Sequence, residues 1–188
     1  MARMPVPSPD ELGPEARALY DGITGGPRAA GRSFPMTDEE GRLHGPFNAM
    51  LSSPAVGERL QALGAVLRYE TGFTARAREI AILVVAGHWG SAYEAYAHER
   101  VGRAAGLSEG VVADLRAGRA PELPDPYESA VYRTTVALAV RGDLDDAEYA
   151  AAEAALGAAG VFELSTLVGY YATLALQLRI FRVGVPEG

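Results

Sequence analysis

From residue 47 onward, apolar positions recur three and four apart in one segment after another, and the breaks between segments are glycines, prolines and capping residues. Ser53-Pro54 opens the first long segment, with Ser as cap and Pro at the first helical position. That helix carries Val56, Leu60, Leu63, Val66 and Leu67 to about Tyr69, where Thr71-Gly72 breaks it. Thr74 caps the next segment. Its run 80–86 has strand-like composition inside a helical context, and Gly87 and Gly90 weaken or split it around His88-Trp89. Helix resumes through His98 and Val101 to Ala105, and Gly106 ends it. Ser108 caps 109–117, a proline-rich link occupies 121–126, and Pro126 opens a helix to about Val140. Asp145-Asp146-Ala147-Glu148 reads as a capping box. The helix it starts ends at 157–160, and a last one runs over 161–181. No segment alternates with period two between turn residues, so the pattern predicts an all-α fold.

The first 46 residues differ. Residues 1–8 read as an extended arm, 10–23 as a short helix, and 24–46 as a long irregular stretch rich in glycine and proline. Loops of that length inside a compact domain are either functional or disordered. Phe34, Met36, Phe47 and Met50 are apolar anchors that favour a packed loop. The organisation predicted is an arm, short helix and loop over 1–46, then a helical domain over 47–188. The helix over 161–181 is apolar nearly all round, so it needs cover on every side, part of it from another subunit. Glu163, Ser165, Thr166, Thr173 and Gln177 within it favour a core or interface helix over a membrane span.

Composition narrows the chemistry. At 188 residues and 48% hydrophobic content the chain has enough apolar material for a core. A formal charge of −7, with no Arg-rich stripe interleaved with aromatics, argues against nucleic acid as partner. There is no cysteine, which removes disulfides, thiolate metal sites and thiol redox chemistry. All 17 basic residues are Arg, so Schiff-base chemistry and a phosphate-loop lysine are excluded as well. No apolar segment of secretory type follows Met1, and with the absence of cysteine this makes a cytoplasmic protein the expectation.

Acid–base groups concentrate in one place. Ser91, Glu94 and His98 lie at i, i+3 and i+7, on one face of a helix, with Glu79 upstream in the preceding apolar run. His98 suits proton transfer near neutral pH. Glu94, one turn before it, is placed to fix its tautomer or to act as the acid, and Glu79 to join if helix packing brings it alongside. Two carboxylates in an apolar setting push one pKa up. Arg76 or Arg78 suits bidentate capture of a substrate carboxylate, and Trp89, Tyr93 and Tyr96 suit the walls of a ring pocket. Plainer readings stand beside these. Glu94–His98 is a common exposed helix pair, Glu79 is satisfied by Arg76 or Arg78, Ser91 starts a helix, and the aromatics belong to the core or an interface. Ser91 and His98 lie about 10 Å apart along the axis, which ranks a Ser–His hydrolase last. His44 and His88 have no metal-ligand spacing to His98, and no metal is expected.

The pieces Gly45-Pro46-Phe47-Asn48-Ala49-Met50, Ser53-Pro54, the run from Arg76 through Arg78-Glu79 to Leu83, Tyr93-Glu94-Ala95-Tyr96-Ala97-His98 and Ala105-Gly106-Leu107-Ser108 follow one another over residues 45–118. In that order they resemble the carboxymuconolactone decarboxylase family of the alkylhydroperoxidase D-like superfamily. The resemblance implies an all-helical bundle and a homo-oligomer, trimer or hexamer, with a dimer also open. In the peroxidase branch a C-x-x-C pair ends four residues before the histidine. Here those cysteine positions fall on Ser91 and Glu94, the upstream glutamate on Glu79 and the histidine on His98. The cysteine-less branch keeps the histidine. It implies a cofactor-independent, carboxy-lyase-like enzyme acting on a small anionic organic acid or lactone. The site residues are then His98, Glu79 and Glu94 as catalytic groups, with Arg76, Ser91, Tyr93 and Trp89 around the substrate. A non-catalytic oligomer that binds a small molecule or a partner is the alternative.

Overall fold

The computed structural model describes residues 3–26 and 35–186. The anchor Phe34 and part of the glycine-rich stretch lie outside them. Among the described residues the regular structure is helical: α1 Pro14–Thr24, α2 Pro46–Met50, α3 Pro54–Tyr69, α4 Ala75–Trp89, α5 Ala92–Ala104, α6 Glu109–Arg116, α7 Pro126–Arg141 and α8 Asp146–Phe181. The helix expected over 10–23 starts later. Pro9–Glu11 forms a single 3-10 turn, and Pro14 then occupies the first position of α1, where its missing N–H costs nothing. The glycine break expected at 157–160 falls at Gly157, whose φ of 71° interrupts α8.

The chain forms two compact units, Met1–Glu70 with Leu176–Gly188, and Thr71–Ala175. Within the first unit α3 packs on α1 and α2. In the first unit Leu19, Ile23, Met36, Leu43, Phe47, Met50 and Leu67 are buried. Gly57 of α3 permits the closest approach, since a Cβ there would sit 2.4 Å from the Met50 carbonyl oxygen. The described part of the long loop is packed. Thr37 and Leu43 form an antiparallel bridge, Asp38 accepts from the Arg42 backbone and side chain, and the Tyr20 hydroxyl donates to the Gly41 carbonyl at 2.8 Å.

The second unit is organised by α4, which packs on α5, α6 and α7. Thr74 caps it by accepting from the Ala77 N–H, and Gly90 ends it at a φ of 60°. Between them Ala77, Ile80, Ala81, Ile82, Leu83 and Val85 are all but inaccessible. Burial on every side explains a helix made from residues of strand-like composition: cover from three neighbours outweighs intrinsic propensity. Burying each of the large aliphatic side chains contributes about 1.5–3 kcal/mol. Gly87 does not split α4: the helix runs through it and ends at Gly90, and a Cβ at Gly87 would lie 3.1 Å from the Leu115 carbonyl oxygen of α6. Ile80 and Leu83 join Leu107, Val112 and Leu115 in one apolar cluster.

The second stretch of α8 buries Leu164, Leu167, Tyr170, Tyr171 and Leu174 along one face. Phe162, Ser165, Gly169 and Thr173 follow one another along the exposed face. By length and composition α8 is apolar enough to cross a membrane, but Gly157 interrupts it and its apolar face is used as core.

Candidate acid–base site

Glu79 is the one acidic residue of α4, and it is completely buried. A carboxylate in such a position is stable only with polar partners. The turn between α4 and α5 supplies one. Gly90 adopts its left-handed conformation, Ser91 N–H donates to the Ala86 carbonyl at 2.9 Å, and the chain reverses into α5. Two turns along α5, His98 Nδ1 lies 2.6 Å from Glu79 Oε2. Gly102 of α5 lies at ordinary contact distance from α4, a Cβ there falling 3.6 Å from Leu83 and 3.7 Å from Glu79 Cβ, and its tight neighbour is Leu107 at 3.0 Å. Arg78 Nε stands 4.0 Å from the other oxygen, Glu79 Oε1.

The imidazole is held from a second side. The Tyr171 ring meets His98 edge-on at 5.2 Å between centroids, and Tyr170 meets Tyr171 in the same manner. Nδ1 is committed to Glu79, an arrangement in which a carboxylate fixes the tautomer and orientation of an imidazole.

Glu94 sits one turn before His98 on the same helix, 2% exposed. Burial pushes its carboxyl up to about 8, and the nearby Ser91 hydroxyl offsets part of that rise. Neither Glu94 oxygen nor Ser91 Oγ reaches a partner at full hydrogen-bond geometry. At neutral pH Glu94 is therefore mostly a carboxylic acid with a proton to give.

The structure thus brings Glu79 and His98 into contact, with Ser91 and Glu94 on the same α5 face. Glu79, not Glu94, holds the imidazole. Arg76 does not face Glu79: it forms a two-pronged pair with Glu128 of α7 at 2.6 and 3.0 Å and also donates to the Gly106 carbonyl. Arg76 is a brace between α4 and α7, and the cation beside Glu79 is Arg78. Tyr93 is buried, tilted against Tyr96, whose other face stacks under Arg100 at 3.7 Å. Trp89 ends α4 half-buried, edge-on to the exposed His88. The sequence reading missed Tyr171 and Glu128. Tyr171 stands in a run of apolar and aromatic residues along α8 with nothing to single it out. Glu128, a carboxylate in the first turn of α7, looks like an ordinary helix-dipole residue. Among the described residues no group of three or more His, Cys, Asp or Glu is placed to hold a metal ion.

No protein-family model and no curated protein matches the chain. Solved structures do match. One is an uncharacterised peroxidase-related protein from Ralstonia eutropha JMP134 with an alkylhydroperoxidase AhpD core, at 14% identity and a TM-score of 0.78, covering 99% of this chain and 93% of that one. A second is a protein of unknown function from Agrobacterium tumefaciens, a putative antioxidant defence protein AhpD, at 21% identity and a TM-score of 0.64, covering 75% and 97%. A third is a cysteine-to-alanine variant of the debrominase Bmp8 in complex with 2,3,4-tribromopyrrole, at 10% identity and a TM-score of 0.74, covering 100% and 92%. The fold is the AhpD-like all-helical fold.

Proposed function

We propose that the protein is a cofactor-independent acid–base enzyme acting on a small anionic organic acid or lactone, in the manner of a carboxy-lyase. The observation that carries this reading is the buried Glu79–His98 pair at 2.6 Å, with Glu94, whose carboxyl burial pushes up to about 8, one turn away. Decarboxylation of an unsaturated or β-keto acid breaks the carbon–carboxylate bond and leaves an electron pair that delocalises onto a carbonyl as an enolate. The reaction then needs a donor at that oxygen and a proton for carbon, in a site with little water. Glu94 suits the first task because its neutral carboxyl lies in an apolar setting. His98, oriented by Glu79, suits the second, delivering its proton from Nε2 and regaining it from solvent. That a protein of this fold binds 2,3,4-tribromopyrrole supports a small organic ligand here. The absence of cysteine closes thiol peroxidase chemistry to this chain. A homo-oligomer belongs to the same reading: Phe162, at 73% the most exposed large apolar residue among the described residues, lies on a face that a second copy would cover.

The test is a spectrophotometric screen of unsaturated lactone acids and β-keto acids with wild type, His98→Ala and Glu79→Gln. Loss of one activity by at least about a hundredfold in both variants, with circular dichroism unchanged, is the expected result. Turnover that survives His98→Ala overturns the assignment.

A further inference from the structure

Four described helix starts carry a Ser- or Asp-x-x-Glu spacing, and two of them form the box that this spacing encodes; at α7 Asp125 caps through the Tyr127 N–H and Glu128 turns to Arg76 instead. Glu11 Oε2 accepts from the Ser8 N–H at 2.8 Å. Asp145 and Glu148 exchange both bonds, at 3.0 and 2.8 Å. At α5 the sequence is Ser91-Ala92-Tyr93-Glu94, but Ser91 caps nothing, and Glu94 does not reach back to it. Both side chains are instead buried, 8% and 2% exposed, with the Ser91 hydroxyl near enough to act on the Glu94 carboxyl, yet none of their three oxygens reaches a partner at full hydrogen-bond geometry. Unsatisfied buried oxygens cost stability, and in a folded protein they call for an explanation. An ordinary capping box was available to both residues, as Ser8 with Glu11 and Asp145 with Glu148 demonstrate.

We propose that the first turn of α5 is a binding site for a small organic oxyanion, a carboxylate in the resting ligand or the enolate oxygen during turnover, held by Ser91, Glu94 and the uncapped helix end. This rests on the acid–base reading above and adds to it where the negative oxygen of the ligand sits. The donor set fits. A neutral carboxyl and a hydroxyl each offer one O–H, and the N-terminus of a helix carries the positive end of its dipole. An ionised Glu94 would repel such a ligand; burial keeps it protonated near neutral pH, with no charged side chain among the causes. Arg78 and Glu79 of α4 lie 4.0 Å apart, and His98 of α5 is paired with Glu79. Oxyanion binding is therefore coupled to retention of the Glu94 proton.

The experiment is equilibrium binding of benzoate, with the neutral isostere benzamide as control, read from the fluorescence of Trp89, the single tryptophan of the chain, two residues before Ser91. Wild type is expected to prefer benzoate over benzamide by about tenfold or more below pH 8, from the charge-assisted bonds. Above pH 8 its benzoate affinity should fall about tenfold per pH unit as Glu94 ionises. Glu94→Gln keeps a donor and the shape, so it should retain binding but lose that fall, and Ser91→Ala should weaken binding with unchanged circular dichroism. No preference for benzoate, or a fall with pH that persists in Glu94→Gln, overturns the inference. Binding needs no turnover, so preferential benzoate binding without activity on any acid would sustain this site and overturn the enzyme reading. Turnover without benzoate preference would do the reverse.

Discussion

Replacing Glu94 by glutamine should make the protein more resistant to unfolding at alkaline pH while changing it little at acid pH. The ordinary carboxyl value of 4.5 applies to the unfolded chain, and burial raises it to about 8 in the fold. Below 4.5 both states hold the proton, and the group adds no pH dependence. Between the two values the unfolded chain releases the proton and the fold keeps it, so each step up in pH favours unfolding. Above 8 both states have lost the proton and the penalty is complete. A gap of about 3.5 pH units at about 1.4 kcal/mol per unit makes that penalty about 5 kcal/mol. Against a total stability of about 5–15 kcal/mol this is a large fraction. Glutamine has nearly the same shape and no proton to lose, so its contribution is flat. Its own burial adds an offset that does not change with pH, and titration of every other group cancels in the difference between the two proteins. The assay is urea denaturation followed by far-ultraviolet circular dichroism, at intervals from about pH 5 to about pH 9. The stability of Glu94→Gln relative to wild type should climb across that range by several kcal/mol, most of it below pH 8. Two curves that run parallel, to within about 1 kcal/mol, would refute the claim that Glu94 is a buried neutral acid.

Two further predictions concern the frame around the site. Gly57→Ala should destabilise by about 1–3 kcal/mol, because its Cβ would lie 2.4 Å from the Met50 carbonyl oxygen and 2.8 Å from Leu19 Cδ2, and backbone cannot yield cheaply. A urea midpoint equal to or above wild type would show that α2 and α3 do not approach as described. A double-mutant cycle with Arg76→Met and Glu128→Gln should return a coupling of about 1–2 kcal/mol, kept modest because the Arg76 side chain is 37% exposed while Glu128 is only 5% exposed. A coupling near zero would remove Arg76 as the brace between α4 and α7.

What the sequence reveals of this protein divides along a physical line. Helix ends were legible because they are local: Thr74, Ser108 and Asp145 cap where their spacing says, and Gly90, Gly106, Gly118 and Gly142 take the positive φ that ends a helix. The composition of 80–86 pointed the wrong way because propensity is a weak local preference, overruled here by cover from three helices. The site was half legible for the same reason. Spacing placed Ser91, Glu94 and His98 on one face, but the choice of Glu79 over Glu94 as partner of Nδ1 depends on how α4 packs against α5. The exchange of Arg76 for Arg78 depends on Glu128, a residue far along the chain. Pairwise choices of this kind belong to packing, and a single chain read in order does not contain them.

That distinction also bears on what α5 is for. A capping box is among the cheapest ways to start a helix, worth about 1 kcal/mol, and this chain builds it at Ser8 and at Asp145 with the same residue spacing. At Ser91 it holds the residues and forgoes the bonds. Packing alone does not require that: an alanine at 91 and a leucine at 94 would fill an apolar site without leaving oxygens unpaired. Nor does the Glu79–His98 pair require it, since each already has the other. A stability cost accepted in one turn, beside the one imidazole that a buried carboxylate orients, is the pattern expected where a ligand completes the hydrogen bonding.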